Sequence, residues 1–439
     1  MPKKRMLKTF AIALLFPVFA QPAAMAQNVR CVDLFHSGVQ SEAVRKIVGQ
    51  NALAQWRWWE ETSNHFALLK STIPVAFEQS RVSLEDVEFW TANEAGEKIA
   101  ARFIRKSYVL FPKHPYNQDA SVPFARLPNT ATPMMMFLTA SRSAAPVKFG
   151  DTTVKTGTDH PHGPGLEYEP KKAQTKEDIR DAILRSKHFA RVDRKMGDDS
   201  VLIMLPDVFA IIDRGSRNGI LVRDISKLDD GRYYLPGFAI PYAGRDIAAA
   251  IGVDFEILFG EVYAKTLGRA KARKLLRYGT QMEAPNSQNS LIPLTRNLEP
   301  TGQLVLRDTP DSRFVEPVAI ALGFAKEVEA DRAAGVEVDA KVIPDWRTSS
   351  MLLGDAGADS VPSKTLEQWE HLHDMAFISE IETTLGVSIL TDKAPRSAFR
   401  RFWFPSITQP LSILNAYLIS DEGQLALRKY ASRFRRVAP

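Results

Sequence analysis

The order of predicted secondary structure is the feature of this sequence that most constrains its fold. Strand-like segments occur in runs as far as residue 307, whereas the chain beyond Val315 is mostly helical. Because strands and helices do not alternate strictly, the pattern predicts an α+β fold with a mostly helical C-terminal region. A single cysteine, Cys31, allows no internal disulfide, so the hydrophobic core must stabilise this fold.

Local signals predict the individual elements. Thr175-Lys176-Glu177-Asp178 resembles a capping box that begins a helix extending to about His188. Gly252 is predicted to break the segment 245–278 into two helices. The three tryptophans of a predicted helix at 41–61 are assigned to the core rather than to a ligand-stacking surface. The remaining predicted elements are strands at 108–111, 201–212, 290–294 and 303–307, a hairpin at 146–157 that turns at Gly150-Asp151, and helices at 317–334, 366–385 and 410–435.

The N-terminal residues have the features of a secretory signal peptide. Four basic residues among the first eight precede the apolar run Thr9–Ala20, and Ala24-Met25-Ala26 has the small-x-small pattern that a signal peptidase recognises. The apolar run has about 12 residues, and a membrane span needs roughly 20. The pattern therefore predicts cleavage before Gln27 and export to the periplasm or beyond, without a stable membrane anchor.

The charge of the chain indicates no macromolecular partner. The formal net charge is +6, and it falls to +2 once the basic residues of the predicted signal are removed. This small excess does not favour nucleic acid or an anionic membrane. The sequence contains no Walker P-loop, no dinucleotide-binding G-x-G-x-x-G and no G-x-S-x-G elbow, so three specific catalytic signatures are excluded.

Two polar segments around a predicted hairpin indicate a site for metal-bound phosphates. The loop after Tyr278 ends in Gln288-Asn289, and the second strand of the hairpin leads into Arg307-Asp308. An amide oxygen and a carboxylate at neighbouring strand ends can hold Mg²⁺ on ATP phosphates, as they do in protein kinases. A polar loop without function is the alternative interpretation of this pattern.

Further upstream lie groups suited to phosphate binding. Ser141-Arg142 offers a hydroxyl and a guanidinium, and Lys155 lies on the second strand of the predicted hairpin. Cations that converge from adjacent strands suit a triphosphate, although each alone could be an ordinary surface residue. His160 and His162, spaced i, i+2, could chelate a metal, but no third ligand is evident.

Taken in order, these segments resemble the motifs of the IucA/IucC family of NRPS-independent siderophore synthetases. That family shows P-x-H-P-W-Q, then S-x-R-T, then a lysine on a strand, then E-x-H-x-Q-N and, after a hairpin, R-D. The counterparts here are Pro112–Asn117, Ser141-Arg142, Lys155, Glu283–Asn289 and Arg307-Asp308. The resemblance covers roughly residues 105–310 and rests on shared order and separation, since no single motif is specific.

The resemblance implies a kinase-like core, described as fingers and palm, followed by a helical thumb-like region. It also implies an ATP- and Mg²⁺-dependent ligase that activates a small-molecule carboxylate, usually of citrate, as an adenylate. The acyl group would then pass to an amine or a hydroxyl. By this resemblance, Ser141, Arg142, Lys155, Gln288 and Asn289 would bind ATP, Asn289 and Asp308 would hold Mg²⁺, and Glu283 and His114 would be catalytic.

Four regions are predicted on this basis. Residues 1–26 form the signal peptide, and residues 27–170 form the N-terminal fingers region with the phosphate-binding segments. Residues 171–315 form the palm with the magnesium and nucleotide loop, and residues 316–439 form the helical region.

Departures from the family pattern keep other functions open. His114-Pro115-Tyr116-Asn117 replaces H-P-W-Q, the histidine of E-x-H-x-Q-N is missing after Glu283, and the family's N-terminal H-P-x-H-P-x-x-K segment has no counterpart. The predicted export would also separate the chain from cytoplasmic ATP. The alternatives are an exported, non-catalytic binding protein that keeps the fold and a secreted kinase-like effector that uses ATP in another cell.

Overall fold

Three sheets and a series of helices make up the described part of the chain. The computed structural model describes residues 42–49, 51–63, 74–113, 130–140, 143–157, 175–215, 219–282, 287–342, 362–390 and 408–435. The strands are β1 (Val75–Ser83), β2 (Val87–Thr91), β3 (Tyr108–Pro112), β4 (Ala131–Ala140), β5 (Ser143–Pro146), β6 (Thr152–Thr156), β7 (Leu202–Met204), β8 (Asp207–Asp213), β9 (Gly219–Asp224), β10 (Tyr233–Pro236), β11 (Thr280–Met282), β12 (Ser290–Leu294), β13 (Leu304–Leu306) and β14 (Ser312–Phe314).

The helices lie mainly between and after these strands. They are α1 (Glu42–Ile47), α2 (Ala52–Ser63), α3 (Glu94–Ala100), α4 (Lys176–Met196), α5 (Ile240–Ile251), α6 (Lys265–Tyr278), α7 (Glu316–Leu322), α8 (Ala325–Ala333), α9 (Ser363–Leu385), α10 (Thr408–Ile419) and α11 (Asp421–Arg435). A π-helix, Glu256–Ala264, precedes α6. All described elements belong to one compact unit, Gly38–Pro439. Within the described residues, no helix combines the length and the apolar character needed to cross a bilayer.

The largest sheet has eight strands in the order β2-β8-β9-β6-β5-β4-β1-β3. Every neighbouring pair in it is antiparallel. β8 and β9 are almost wholly apolar and buried, which is typical of strands covered on both faces. On one face, Leu221 packs with Ile179 and Ile183 of α4. On the other face, Val222 packs in a separate core cluster with Phe209.

A second sheet, in the order β10-β12-β13-β7, brings the predicted hairpin to the start of β8. β12 and β13 form the antiparallel hairpin that the sequence predicts. β13 pairs in parallel with β7, and the N–H of Leu205 extends this pairing by donating to the carbonyl of Leu306 at 3.0 Å. Because β8 begins two residues after Leu205, the residues that follow β13 lie beside its first residue, Asp207.

The C-terminal part of the described chain is helical, and this confirms the predicted α+β class. Beyond β14, the described elements are five helices, α7 to α11. Val318, Ile378, Leu414 and Leu427 from α7, α9, α10 and α11 share one buried cluster. This cluster also contains Leu275 of α6, so α6 connects the helical region to the second sheet.

Several local predictions are confirmed by the structure. Both hydrogen bonds of the capping box at Thr175 are present, although α4 runs beyond His188 to Met196. Gly252 caps α5 with a positive φ of 70°, as the predicted break requires. The π-helix that follows it was not predicted. The hairpin of β5 and β6 turns between Pro146 and Thr152, but its first strand lies earlier than expected.

Four predicted elements are each divided in the structure, and all four predictions were wrong in that respect. The helix at 317–334 becomes α7 and α8, because Gly323 ends α7 with a positive φ of 93°. The helix at 410–435 becomes α10 and α11, which are separated by Ser420. The helix at 41–61 becomes α1 and α2, because the side chain of Asn51 accepts a hydrogen bond from Ala54 N–H at 2.8 Å and begins a new helix. The strand at 201–212 becomes β7 and β8, because Pro206 has no N–H to donate to a ladder. Trp56 and Trp59 are buried, as predicted, but Trp58 is 50% exposed, so its assignment to the core was wrong.

Candidate functional site

Two cations project from the same face of the large sheet. In the pairing of β6 with β9, Lys155 lies opposite Leu221 and Thr153 lies opposite Arg223. Directly opposed residues of antiparallel strands share a face, so Lys155 and Arg223 lie on the same face as Leu221. This is the face that α4 covers through Ile179. The strand register therefore directs both cations toward the gap beside α4.

Asp308 meets both cations at this gap. Its carboxylate oxygen Oδ1 accepts from Lys155 Nζ at 2.9 Å and from the Arg223 guanidinium at 3.4 Å. The side chains of Lys155 and Asp308 are 17% and 16% exposed, so the pair lies at the rim of the protein interior. Two residues that are 153 positions apart in sequence thus form one ion pair.

Asp207 also binds Arg223. The two residues face each other across β8 and β9, and the guanidinium binds both carboxylate oxygens, at 3.0 Å and 3.2 Å. Burial opposes the charge of Arg223, but Asp207 and Asp308 outweigh burial and raise its pKa. Thr309 donates to Asp207 through its hydroxyl at 2.6 Å. We call Lys155, Asp207, Arg223, Asp308 and Thr309 the site cluster.

The backbone of Asp308 is unusual. Its φ of 72° and ψ of 69° lie in the left-handed region, which residues with a side chain rarely adopt. Leu298 is the other non-glycine residue with positive φ among the described residues. Such strain persists where surrounding contacts fix the conformation, and it is common at ligand-binding positions. The ion pairs of the Asp308 side chain are contacts of this kind.

Arg307 fixes the neighbouring loop. Its Nε donates to the carbonyl of Gln288 at 2.6 Å, and its N–H donates to the carbonyl of Asn289 at 3.0 Å. The guanidinium also pairs with Glu60 of α2 at 2.7 Å. Burial raises the pKa of Glu60, while Arg307 and the indole of Trp56 act in the opposite direction. Arg307 therefore ties the Gln288-Asn289 turn to α2.

Asn289 supplies an amide next to the turn that follows Asp308. Asn289 Nδ2 donates to Asp311 Oδ2 at 3.4 Å. Asn289 and Asp311 thus extend the group of polar side chains around the end of β13. Among the described residues, no cluster of three or more His, Cys, Asp or Glu side chains has the arrangement of a metal site. Oxygen donors suited to Mg²⁺ are nonetheless present on Asn289, Asp308 and Asp311.

The structure places only part of the predicted site. It brings Lys155 and Asp308 into contact and joins Gln288 and Asn289 to Arg307. The predicted residues His114, Ser141, Arg142 and Glu283, and the pair His160 and His162, lie outside the described residues. The role of each residue in nucleotide or metal binding stays a prediction.

Sequence reasoning missed Arg223 and Asp207. A signal was present, because each is a charged residue near the end of a mostly apolar, buried strand. A charge in such a strand is stable only when it is paired, so it predicts a partner on a neighbouring strand. The pairing itself depends on strand order, which the sequence did not predict.

Comparison of the structure with solved proteins identifies the fold. Aerobactin synthetase IucC from Klebsiella pneumoniae matches with a TM-score of 0.54 and 14% identity, over 91% of this chain and 80% of that chain. ATP-bound aerobactin synthetase IucA from the same organism matches with a TM-score of 0.52 and 13% identity, over 78% of this chain and 77% of that chain. The petrobactin biosynthesis protein AsbB from Bacillus anthracis matches with a TM-score of 0.52 and 13% identity, over 83% of this chain and 70% of that chain.

These likenesses define the class of fold. The chain has the fold of siderophore synthetases, which agrees with the core expected from its motifs. No model of a protein family matches the sequence, and no curated protein is similar to it. At 13–14% identity, the likeness to these structures concerns the fold alone.

Proposed function

We propose that this protein is an ATP- and Mg²⁺-dependent ligase that activates a small-molecule carboxylate and transfers it to an amine or a hydroxyl. The observation that carries the proposal is the contact of Lys155 with Asp308 at 2.9 Å. These are the motif residues expected to serve the triphosphate and its metal, and they meet within a siderophore-synthetase fold. The ATP-bound IucA structure supports the use of ATP by this fold.

The residues present fit a triphosphate. Lys155 and Arg223 bring two positive charges to one face, and Arg142 and Ser141 are the further groups that the motif predicts. Charge-assisted bonds from such groups to phosphate oxygens are about twice as strong as neutral ones. Arg223 is fixed in place by Asp207, so its contribution needs little ordering when a ligand binds.

The residues present also fit Mg²⁺. Asp308 and Asn289 would hold the ion, and Asp311 offers a second carboxylate beside Asn289. Hard oxygen ligands are the ones Mg²⁺ prefers, and it binds proteins through one or two carboxylates together with substrate phosphates. The ion would neutralise phosphate charge.

The proposed reaction has two steps. A substrate carboxylate oxygen attacks the α-phosphorus of ATP, and pyrophosphate leaves. The amine or hydroxyl then attacks the acyl carbon, loses its proton and displaces AMP. The cations of the site cluster would stabilise the charge of the leaving pyrophosphate, which is the largest contribution expected of such groups.

Calorimetric titration with ATP and Mg²⁺ tests the binding part of this proposal. Each charge-assisted contact contributes about 1.5–3 kcal/mol, and about 1.4 kcal/mol is tenfold in affinity. Lys155→Ala should therefore weaken Mg-ATP by roughly tenfold or more. Asp308→Asn should abolish the Mg²⁺ dependence of ATP binding. The matched control is Asp246→Asn, which alters an exposed carboxylate on α5 and should change nothing.

Turnover distinguishes the ligase from the alternative of a non-catalytic binding protein. Wild-type protein given ATP, Mg²⁺ and a panel of polycarboxylates with amines should release AMP and pyrophosphate. The missing histidine after Glu283 favours a non-catalytic binding protein, which would bind the nucleotide without turnover. No nucleotide binding by a folded, full-length protein would contradict both versions.

We also propose that the protein acts after export. The support is the basic segment, the short apolar run and the Ala24-Met25-Ala26 pattern at the N-terminus. N-terminal sequencing of fractionated protein should find Gln27 as the first residue. An intact Met1 in the cytosolic fraction would contradict export.

A further inference from the structure

The ligand-binding groups of the site cluster neutralise one another in the structure. Lys155 and Arg223 carry two positive charges, and Asp207 and Asp308 carry two negative charges. Lys155 and Arg223 both contact the same oxygen of Asp308. The residue expected to bind phosphate is therefore bound to the residue expected to bind metal.

The two cations differ in how firmly they are held. Arg223 is 8% exposed and is bound through two hydrogen bonds to Asp207, which is 1% exposed. Lys155 carries a single compact charge on a flexible stem, and its side chain is 17% exposed. Replacing the partner of Lys155 therefore costs less free energy than replacing that of Arg223, because Lys155 lies at the rim of the cluster, where water and ligands can reach it.

Either ligand, when it binds alone, is left next to a side chain of the same sign of charge. A divalent cation that approaches Asp308 must displace Lys155 and is left beside two positive charges. A triphosphate that approaches Lys155 must separate it from Asp308 and is left beside a carboxylate. When both ligands bind, the metal takes Asp308, the triphosphate takes Lys155, and every charge keeps an opposite partner.

We propose that Lys155 and Asp308 block each other in the free protein, so that a divalent cation and a triphosphate bind together and only weakly apart. This inference rests on the proposed function, because it concerns the same site. Arg223, fixed by Asp207, is the positioning residue that holds Asp308 when Lys155 changes partner. By linkage, each ligand raises the affinity for the other by the same factor.

The test uses the full-length protein with two simple probes, Mn²⁺ and inorganic triphosphate, each alone and then both together. Mn²⁺ binding is followed by electron paramagnetic resonance, and triphosphate binding by calorimetry. In the wild type, each probe should raise the affinity for the other by roughly tenfold, within the usual range of coupling between sites. Independent binding of the two probes to the wild type would overturn the inference.

Two variants should weaken the coupling in opposite ways, leaving the part that comes from direct contact between Mn²⁺ and the phosphate oxygens. Lys155→Met should bind Mn²⁺ alone more tightly than the wild type, because the competing cation is gone. Asp308→Asn should bind triphosphate alone more tightly, because Lys155 is released and a repelling carboxylate is lost. If neither single-probe affinity rises, the inference is wrong, even where the variants lose other functions.

Controls separate the ion pair from general effects. Lys155→Arg keeps the charge and should keep Mn²⁺ affinity near the wild-type value. Lys176→Met breaks an exposed lysine pair with Glu88 and should leave both probes unaffected. Equal Mn²⁺ gains in Lys176→Met and Lys155→Met would mean that net charge alone matters, which would contradict the inference.

Comparison with ATP distinguishes this inference from the proposed function. Coupled binding of Mn²⁺ and triphosphate, with ATP bound no more tightly than triphosphate and no turnover, would remove the nucleotide ligase and leave the mutual block intact. Tight Mg-ATP binding without coupling between Mn²⁺ and triphosphate would support the nucleotide ligase and overturn the mutual block.

Discussion

Two groups of charged side chains contact the segment 308–312, and they differ in access to solvent. The first is the site cluster, whose Lys155 and Asp308 side chains are partly exposed. We call the second the closed cluster: Arg185, His188, Lys274, Ser312 and Asp331, with side chains fully inside. Both groups involve α4, and the hydroxyls of Ser186 and Thr309, 3.3 Å apart, connect them.

The closed cluster satisfies its polar groups internally. Arg185 pairs with Asp331 and donates Nε to the carbonyl of Ser312 at 2.6 Å. Lys274 Nζ donates to the hydroxyl of Ser312 at 2.8 Å and to the carbonyl of Gln281 at 3.3 Å. These contacts join α4, α6, α8 and β14.

Ionisation of Lys274 and His188 is suppressed in the closed cluster, although Arg185 and Asp331 form an ion pair there. Burial lowers the pKa of Lys274 to about 7, and burial lowers the pKa of His188 to about 4. His188 Nε2 bonds the carbonyl of Tyr278 at 2.8 Å, and Arg191 approaches its Nδ1 at 3.1 Å, which suits a neutral ring. The closed cluster thus stabilises the fold, whereas the partly exposed rim of the site cluster is where we propose that Lys155 and Asp308 exchange partners with a ligand.

The largest expected effect comes from breaking the pair in the closed cluster. Arg185→Met would leave Asp331 buried without its partner, and such changes cost about 3–5 kcal/mol. Urea unfolding measures the loss. Arg185→Met combined with Asp331→Leu should recover part of it, because no charge is then left unpaired. A loss below about 1 kcal/mol for the single variant would contradict the distinction between the two clusters.

The second prediction concerns alkaline pH. With a folded pKa of about 7 for Lys274 and an ordinary value of 10.5, the unfolded chain binds more protons between these limits. The contribution of Lys274 to the free energy of unfolding should therefore increase as pH rises through this window, by at most about 1.4 kcal/mol per pH unit. Asp311 opposes the shift, while Arg185 and Lys271 support it. Lys274→Met should lack this increase. If the free energy of unfolding rises with pH at the same slope in the wild type and in this variant, the lowered pKa of Lys274 is contradicted.

The third prediction concerns acid. The folded pKa of His188, about 4, is below its ordinary value of 6.5, so its stabilising effect is complete above pH 6.5 and is lost as pH falls toward 4. His188→Gln keeps a donor for the carbonyl of Tyr278 and should lose less stability over this window than the wild type. Titration of the ring by nuclear magnetic resonance checks the value directly. A ring that titrates near 6.5 in the folded protein would refute the prediction.

The smallest effect on stability is expected at Lys155. Its loss leaves Asp308 paired with Arg223, and ion pairs with access to solvent contribute about 1 kcal/mol or less. Lys155→Met should therefore change urea unfolding far less than Arg185→Met does. A comparable loss in both variants would mean that the site cluster is as structural as the closed one.

The class of fold and several elements could be predicted from the sequence because they depend on local signals. The capping box at Thr175, the positive-φ glycine at Gly252 and the hairpin before Asp308 are each encoded within a few residues. Motif order also placed Lys155 and Asp308 in one predicted site, and the structure brings them together.

Other features depend on contacts between distant segments. The bond between Asp207 and Arg223 requires β8 and β9 to be neighbours, and β8 exists as a separate strand because Pro206 interrupts the apolar run. Glu60 precedes Arg307 by 247 residues and lies in a helix with no motif, yet the two form an ion pair. A charge in an apolar strand indicates that a partner exists, but a single sequence does not identify which distant residue it is.

The backbone of Asp308 carries a consequence for any attempt to make this protein more robust. A residue with a side chain pays roughly 1–2 kcal/mol to stay in the left-handed region, and glycine does not. A library selected for heat resistance alone would thus enrich glycine at position 308 and discard the carboxylate. Directed evolution for stability would then remove the carboxylate that contacts both Lys155 and Arg223, so such a selection needs a ligand present.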